Sequence, residues 1–311
     1  MKAVFQAILC IGLAFITLYP APSAAQSYVH TYISPKGTDS NNCNAAPCAT
    51  FSKAFSQTVS GGRITCADRD AGTAFYASIS RPIIFDCDSG AAYLWITTTN
   101  ASDVVVVRGV ALDNNGSSSA VSFNGSGTLI LDRVSTGPIP SSTAVVQFSP
   151  NGPGKLIVSD STITATGQGA AGGGIIVKPS GTGSARVSLE RVNIAGNVFG
   201  IALDGSGSTG GINATIADSM ISGNTQDGIV ATTTAGRAPI GVFVSNTKSV
   251  NNAYGIRSIG PGVTARVKNS EIVGNNTGIA TSGGGALLSS GGNSVQANGS
   301  NGSFTGSVPV Q

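Results

Sequence analysis

Charged side chains are scarce in this chain of 311 residues, at 10% of the composition against about a quarter in an average protein. Lysine and arginine number 17 and the acids 14, so the formal net charge of +3 predicts no nucleic-acid partner. Aromatic residues make up only 6%, with a single Trp, which argues against a stacking platform for single strands. The only histidine is His30, and this excludes histidine-dependent chemistry from the rest of the chain.

Long apolar runs are also absent, except near the N-terminus. After Met1-Lys2 an apolar stretch extends from about Ala7 to Leu18, and the small residues Ser23-Ala24-Ala25 follow. This order is typical of a secretory signal peptide, so we expect residues 1–25 to be removed from a secreted protein, extracellular or periplasmic. No later segment is long and apolar enough to span a membrane.

Cysteine is rare and confined to the first third of the chain. Once Cys10 leaves with the signal peptide, Cys43, Cys48, Cys66 and Cys87 remain. Four thiols in an exported chain suggest two disulfides with three possible pairings. We expect Cys43–Cys48, which closes a short loop, and Cys66–Cys87, which links neighbouring strands. A zinc site is the competing interpretation, although the spacing of the four cysteines lacks the usual close C-x-x-C pair.

Glycine, in contrast, is abundant, with 43 residues. A Gly-Ile step recurs at intervals in the twenties, and an Asn stands three or four positions before the last four steps. The steps are Gly174-Ile175, Gly200-Ile201, Gly228-Ile229, Gly255-Ile256 and Gly278-Ile279, and the amides are Asn197, Asn224, Asn252 and Asn275. A period in the twenties indicates stacked repeats that bury their apolar faces against each other.

The repeating unit is β-structure. Short runs rich in Val and Ile lie between the Gly/Asn turns, such as Leu129-Ile130-Leu131 and Val242-Phe243-Val244. No stretch between Tyr93 and Val295 shows the apolar period of a helix. The sequence therefore predicts an all-β fold, a parallel β-helix or solenoid, built by a single chain.

Four regions are expected along the chain: the signal peptide, an N-terminal cap with irregular coils over residues 26–90, regular coils over 91–297, and a tail over 298–311. Within the cap, Thr50 is predicted to start a short helix that runs to about Val59 and ends at Gly61-Gly62. Phe51, Ala54 and Phe55 fall on one face of this helix. An amphipathic helix would cover the open end of the stack.

These repeats resemble those of a known superfamily. Together with the opening Tyr32-Ile-Ser-Pro-Lys-Gly-Thr-Asp39 and with Pro47-Cys-Ala-Thr50-Phe51, they are similar to the right-handed parallel β-helix repeat of the pectin-lyase-like superfamily. The resemblance covers about Tyr28 to Val295 and implies a right-handed coil with an N-terminal capping helix. It does not specify an activity, because the superfamily includes lyases, hydrolases, epimerases and proteins without known chemistry.

The candidate chemistry is a ladder of acids and amides whose members recur at intervals close to one coil each, so we expect them to form a single column near one edge of one sheet. These members are Asp132, Asp160, Glu190, Asp218, Asn246 and Asn269. One interpretation is a carboxylate cluster that cleaves a glycosidic bond or binds Ca²⁺, with Asp160 and Glu190 as ligands. The resemblance adds that β-helix lyases hold Ca²⁺ with stacked acids. The other interpretation is structural, because Asp and Asn favour the position before a turn.

Two further groups of residues can likewise be interpreted as either functional or structural. Lys178 and Asp204 each lie four residues after the Gly of a Gly-Ile step in adjacent coils, which predicts a cross-strand ion pair more readily than a catalytic lysine. Arg191 follows an acid of the ladder, as does Arg133, and either could bind the carboxylates of a polyanion or neutralise its neighbours.

Complete catalytic sets are missing from the sequence. The polygalacturonase pattern of Asn-Thr-Asp, Asp-Asp and Gly-His-Gly does not occur, and Tyr254-Gly255-Ile256 matches only the start of the alginate-epimerase phrase. We therefore expect a secreted, non-catalytic β-helix protein, without a cofactor, that contacts polysaccharide or cell-envelope material along one face. The alternative is a polysaccharide lyase or glycoside hydrolase that uses the stacked acids, with Ca²⁺ if it is a lyase.

Overall fold

The computed structural model describes residues 27–68, 75–88, 90–114, 117–136, 144–164 and 172–309. The predicted fold is confirmed: the chain forms an all-β parallel β-solenoid of about nine turns with one short helix. The expected signal peptide lies outside the described residues, so it stays a prediction. No helix in the described ranges has the length and apolar character needed to cross a membrane.

The strands form two long parallel sheets. The first sheet contains, in stacking order, Tyr28–Ile33, Thr58–Cys66, Ile83–Asp86, Val104–Arg108, Gly127–Asp132, Pro153–Ser159, Ser184–Glu190, Ile212–Ala217, Ile240–Ser245, Val263–Lys268, Ala286–Ser289 and Gly306–Ser307. The second sheet contains, in chain order, Phe75–Ile79, Ala91–Ile96, Ala111–Leu112, Ser119–Phe123, Ser135–Thr136, Ala144–Phe148, Thr162–Thr164, Gly173–Val177, Asn193–Ala195, Phe199–Asp204, Met220–Ser222, Asp227–Thr232, Lys248–Val250, Tyr254–Ile259, Glu271–Val273, Thr277–Ser282 and Ser294–Gln296.

One turn of the solenoid consists of three strands. Ser184–Glu190 lies in the first sheet, the short strand Asn193–Ala195 turns the chain, and Phe199–Asp204 returns along the second sheet. The chain then enters Ile212–Ala217, which pairs in register with Ser184–Glu190. Because side chains alternate between the two faces of a strand, each strand has an inner column facing the core and an outer column facing solvent.

The Gly-Ile step places one isoleucine of each coil in the core. Ile175, Ile201, Ile229, Ile256 and Ile279 are successive strand partners, and all are buried. Burying each such side chain is worth about 1.5–3 kcal/mol, so the stack is stabilised only when neighbouring coils cover one another.

The glycine of the step is required by close packing. A Cβ on Gly255 would lie 2.4 Å from the carbonyl oxygen of Gly278 and 2.5 Å from Cγ2 of Ile272. Real Cβ contacts are not found at these distances. The recurrence of glycine before isoleucine therefore reflects the approach of one coil to the next.

The N-terminal end of the stack carries the predicted helix, Phe51–Gln57. The Oγ1 atom of Thr50 accepts a hydrogen bond from the Lys53 amide at 3.1 Å and so caps the N-terminus of the helix. The ring of Phe51 packs edge-on against that of Phe85, with the ring centroids 5.1 Å apart. The expected helix end was wrong. The chain leaves the helix at Thr58 and enters the strand Thr58–Cys66, which contains Gly61-Gly62, because this segment pairs with Tyr28–Ile33.

Both predicted disulfides are present. Cys43–Cys48 closes the loop after the first strand, and Cys66–Cys87 joins neighbouring strands of the first sheet at their ends. At the opposite end of the stack, Gly306–Ser307 pairs with Leu288–Ser289. The segment after Asn298 therefore adds a final partial rung to the first sheet.

Candidate functional site

The predicted acid ladder lies at the corner where each first-sheet strand turns into the following short strand, but it forms two columns instead of one. Asp132, Ser159 and Glu190 are strand partners in the first column. Asp160 and Asp218 lie one residue further along, in the second column. Asp132 and its strand partner Ser159 are 27 residues apart. The next acid in the sequence, Asp160, comes one residue later and therefore falls in the second column. The expectation of a single column was therefore wrong.

The second column has a left-handed backbone conformation that accounts for its acids and amides, although not for its two arginines. Its residues have φ angles between 48° and 51°, and they are Arg133, Asp160, Arg191, Asp218, Asn246 and Asn269. Asp and Asn adopt this left-handed region more readily than most residues. The conformation supports the structural interpretation of Asp160 and Asp218.

Arg191 holds two of the candidate acids. Its Nε and Nη2 atoms donate to the two carboxylate oxygens of Asp160 at 2.6 and 2.9 Å, and its Nη1 atom donates to Glu190. The hydrogen bonds from this guanidinium lower the pKa of Asp160 below its ordinary value. Both carboxylates therefore already share a counter-ion.

Asp132 is neutralised in a similar way. Arg108 and Arg133 approach its carboxylate at 3.7 and 3.4 Å, and the hydroxyl of Ser159 donates to it at 3.0 Å. Carboxylates with arginine partners on a solvated face are poor general acids, because the positive charge favours the ionised form. Three of the candidate acids at this corner, Asp132, Asp160 and Glu190, are salt-bridged, whereas Asp218 forms no ion pair among the described residues.

The predicted Ca²⁺ ligands Asp160 and Glu190 converge on the guanidinium of Arg191. A cation bound between them would have to displace that side chain. Within the described ranges, no group of three or more acids, histidines or cysteines is placed to hold a metal ion.

The predicted ion pair between Lys178 and Asp204 is confirmed, with the Nζ and Oδ2 atoms 2.9 Å apart. It lies on the outer face of the second sheet. Burial alone would raise the pKa of Asp204, but hydrogen bonds from Ser206 and Lys178 outweigh it and leave this pKa below its ordinary value. Lys178 is therefore a charged partner of Asp204 and does not have the environment of a catalytic base.

The first sheet carries an open groove on its outer face, which we call the basic groove. It has a volume of about 550 Å³. Its polar and aromatic lining consists of Lys155, Arg186, Ser188, Asn213, Thr215, Phe243 and Arg266. Lys155 and Arg186 are strand partners, and Phe243 and Arg266 are strand partners in the neighbouring column.

The three cations of the basic groove have no counter-ion within the described part of the chain. Lys155, Arg186 and Arg266 are exposed and form no ion pair among the described residues. No described carboxylate lines the groove. Two cations on adjacent strands, about 4.8 Å apart in the backbone, repel each other unless an anion lies between them. The groove therefore favours an anionic ligand.

Sequence reasoning found the corner acids and missed this groove. Arg186 alternates with the buried Ala185 and Val187, and Lys155 alternates with Gly154 and Leu156 in the same way. This alternation was the available signal that both side chains face outwards. The register that brings them together depends on the length of the loop between the coils, which alternation does not report.

Comparison with protein-family models, with curated proteins and with solved structures gave no match. The fold therefore rests on the structure itself, and membership of the pectin-lyase-like superfamily stays a prediction.

Proposed function

We propose that this chain is a secreted, non-catalytic β-solenoid protein that binds an acidic polysaccharide, or acidic cell-envelope material, along the basic groove. The observation that carries the proposal is the set of cations without counter-ions among the described residues, Lys155, Arg186 and Arg266, around an open groove of about 550 Å³. The groove runs over the strands from Lys155 to Arg266, which are four strand spacings or about 19 Å apart. An extended polyanion suits this length better than a compact ligand does.

The aromatic ring of Phe243 supports a polysaccharide within the class of polyanions. It is exposed inside the groove, beside Thr215 and Arg266. An exposed apolar ring among hydrogen-bonding side chains matches a ligand with both apolar and hydroxylated faces. The resemblance to the pectin-lyase-like superfamily supports the same class of ligand, as an expectation from that superfamily.

Secretion is part of the proposal. The signal-like residues 1–25 lie outside the described residues, and the supporting observation is the pair of disulfides. Disulfides persist mainly in oxidising compartments. The proposed function requires no contact with a membrane.

Binding is tested by electrophoresis through gels that contain polygalacturonate or alginate. We expect the protein to be retarded by these acidic polymers, and the retardation to decrease with salt because it depends on exposed charges. Arg186→Gln should weaken binding about tenfold, which corresponds to about 1.4 kcal/mol. Lys36→Gln is the matched control, since Lys36 is an exposed cation in the N-terminal loop. Equal loss of retardation in both variants would show that only net charge matters.

The alternative, a polysaccharide lyase or hydrolase that uses the corner acids, is tested with the same polymers. A lyase would form an unsaturated product that absorbs ultraviolet light, and a Ca²⁺-dependent lyase would lose this activity in chelator. If activity disappears in Asp160→Ala and Glu190→Ala but persists in Asp132→Ala, the protein is an enzyme whose active site contains the two acids paired with Arg191. That result would replace the binding proposal. We expect no product from the wild-type protein.

A further inference from the structure

The outer face of the second sheet carries another groove, which we call the neutral groove. It has a volume of about 460 Å³. Its floor is apolar and its rim is polar, with Ile176, Phe199, Ala202, Val230 and Ile259 on the floor and Gln147, Lys178, Asp204, Thr232 and Arg257 on the rim. This face points away from the first sheet, and the corner acids are not part of it.

The charges of the neutral groove are balanced in pairs. Lys178 is bound to Asp204 at 2.9 Å, and Arg257 is bound to Asp227 at 2.5 Å. Neither cation is left to attract an anion, in contrast to those of the basic groove. A ligand here would be recognised by hydrogen bonds and apolar contact, and would itself be uncharged.

The second pair is enclosed but not fully satisfied. Asp227 is fully buried, at 0% exposure, beneath a guanidinium that also stacks over the Tyr254 ring, 4.4 Å from its centroid. The Oδ1 atom of Asp227 and the Nε atom of Arg257 have no hydrogen-bond partner among the described residues. A hydroxyl group can accept from the nitrogen and donate to the carboxylate at once. Both atoms are buried, so Arg257, which lines the groove, would have to move for a ligand to reach them.

Exposed aromatic residues continue the same face towards the N-terminal end. Trp95 occupies the outer column that passes through Ser122, Gln147 and Ile176 to Ala202. Four strand spacings separate Trp95 from Ala202, about 19 Å. Tyr76 and Tyr93, whose rings lie 5.4 Å apart, stand beside it. Trp95 and Tyr76 are 37% and 57% exposed, and such exposed apolar patches commonly mark ligand sites.

From these observations we propose that the outer face of the second sheet binds a neutral polysaccharide chain, extending from Tyr76, Tyr93 and Trp95 to the neutral groove at Arg257. The aromatic rings and the apolar floor contact the faces of the sugar rings, while Arg257, Asp204 and Gln147 bind their hydroxyls. This site does not depend on the basic groove and can hold a second, chemically different glycan.

The site binds its ligand without cleaving it. Asp204 is the strand partner of Thr232, which lies five residues beyond Asp227 in the same strand. At about 3.3 Å per residue, the two carboxylates are separated along the sheet by on the order of 15 Å. Glycosidases of both stereochemical types place their carboxyl groups less than about 10 Å apart.

The test is titration calorimetry of the whole protein with cellohexaose, xylohexaose and mannohexaose, and with hexagalacturonate as the acidic probe. Ala202→Phe fills the floor of the neutral groove. Ala195→Phe is the matched control, because Ala195 also faces outwards on the second sheet and lines neither groove. Trp95→Ala is a second variant, on the exposed aromatic patch, where truncation leaves the core intact.

We expect at least one neutral hexaose to bind, with its dissociation constant raised at least tenfold by Ala202→Phe, about fivefold by Trp95→Ala and less than twofold by Ala195→Phe. Binding of hexagalacturonate should be unchanged in all three variants, which separates this site from the basic groove. The proposal is overturned if none of the three neutral hexaoses binds, or if Ala202→Phe and Ala195→Phe have equal effects.

Discussion

The asparagines that precede the Gly-Ile steps stack in a buried column, in which each of the last three accepts a hydrogen bond from the backbone amide of the asparagine one coil earlier. Replacing one of them should lower the stability of the protein by an unusually large amount. Asn252 is 3% exposed, and its Oδ1 atom accepts hydrogen bonds from the backbone amide of Asn224 at 3.0 Å and from the Nδ2 atom of Asn224 at 2.8 Å. Its own Nδ2 atom donates to Asn275 at 3.0 Å. The same Nδ2 atom also lies 3.3 Å from the carbonyl oxygen of Ile221 and 3.2 Å from the hydroxyl oxygen of Ser249. Asn252→Ala therefore removes this partner from two buried donors and three acceptors.

The expected cost follows from that count. A buried donor or acceptor left unsatisfied costs about 1–3 kcal/mol, and the orphaned groups here are not independent. We therefore expect Asn252→Ala to lower the free energy of unfolding by about 3–5 kcal/mol, against about 1 kcal/mol for a typical hydrogen-bonded polar side chain.

Asn298→Ala is the matched control, because Asn298 is the last member of the same column. It accepts the equivalent bonds from the backbone amide and Nδ2 atom of Asn275, both at 2.9 Å, but it is only partly buried. Water can replace it there, so we expect a loss of about 1 kcal/mol. Urea unfolding followed by circular dichroism measures both variants. Equal losses, or a loss for Asn252→Ala no larger than that expected for Asn298→Ala, would refute the reasoning.

The remaining predictions concern buried charge and close packing. Burial raises the pKa of Asp227, so the folded state binds the proton of this carboxyl more tightly than the unfolded state does. The stability of the wild type relative to Asp227→Asn should therefore rise as the pH falls from neutral towards the ordinary pKa of an aspartate. The pKa of Asp160 is lowered by Arg191, so the stability relative to Asp160→Asn should fall as the pH drops below the ordinary pKa of an aspartate. Urea titrations at several pH values check both signs. Gly255→Ala should cost about 1–3 kcal/mol through overpacking. Gly241→Ala, whose added Cβ would meet only the side-chain oxygen of Asn213 at 3.2 Å, should cost less, and the reverse order of midpoints would contradict the packing account.

The core of the fold could be predicted because its pattern repeats in each coil. Gly-Ile steps and preceding asparagines recur wherever a coil must approach its neighbour closely, and Ile201 and Asn224 occupy the places that this pattern implies. The disulfide Cys66–Cys87 follows from the same logic, because both cysteines end neighbouring strands of one sheet.

The sites on the surface could not be predicted in the same way. Asp160 follows Asp132 by about one coil, but the strand partner of Asp132 is Ser159, one residue earlier, so spacing alone placed Asp160 in the wrong column. The alignment of Lys155 with Arg186, and the burial of Asp227 beneath Arg257, depend on variable loop lengths. Strand register has to be known before side chains from distant coils can be grouped into a site.

The most direct test of the proposed function is to locate the acidic ligand on the surface. Lysine acylation with and without saturating hexagalacturonate, read out by mass spectrometry, compares Lys155 in the basic groove with Lys36 and Lys248, which lie outside it. We predict that the ligand slows modification of Lys155 at least fivefold and leaves the other two unchanged. Unchanged reactivity of Lys155 at saturation, or equal protection of all three lysines, would contradict binding in the basic groove.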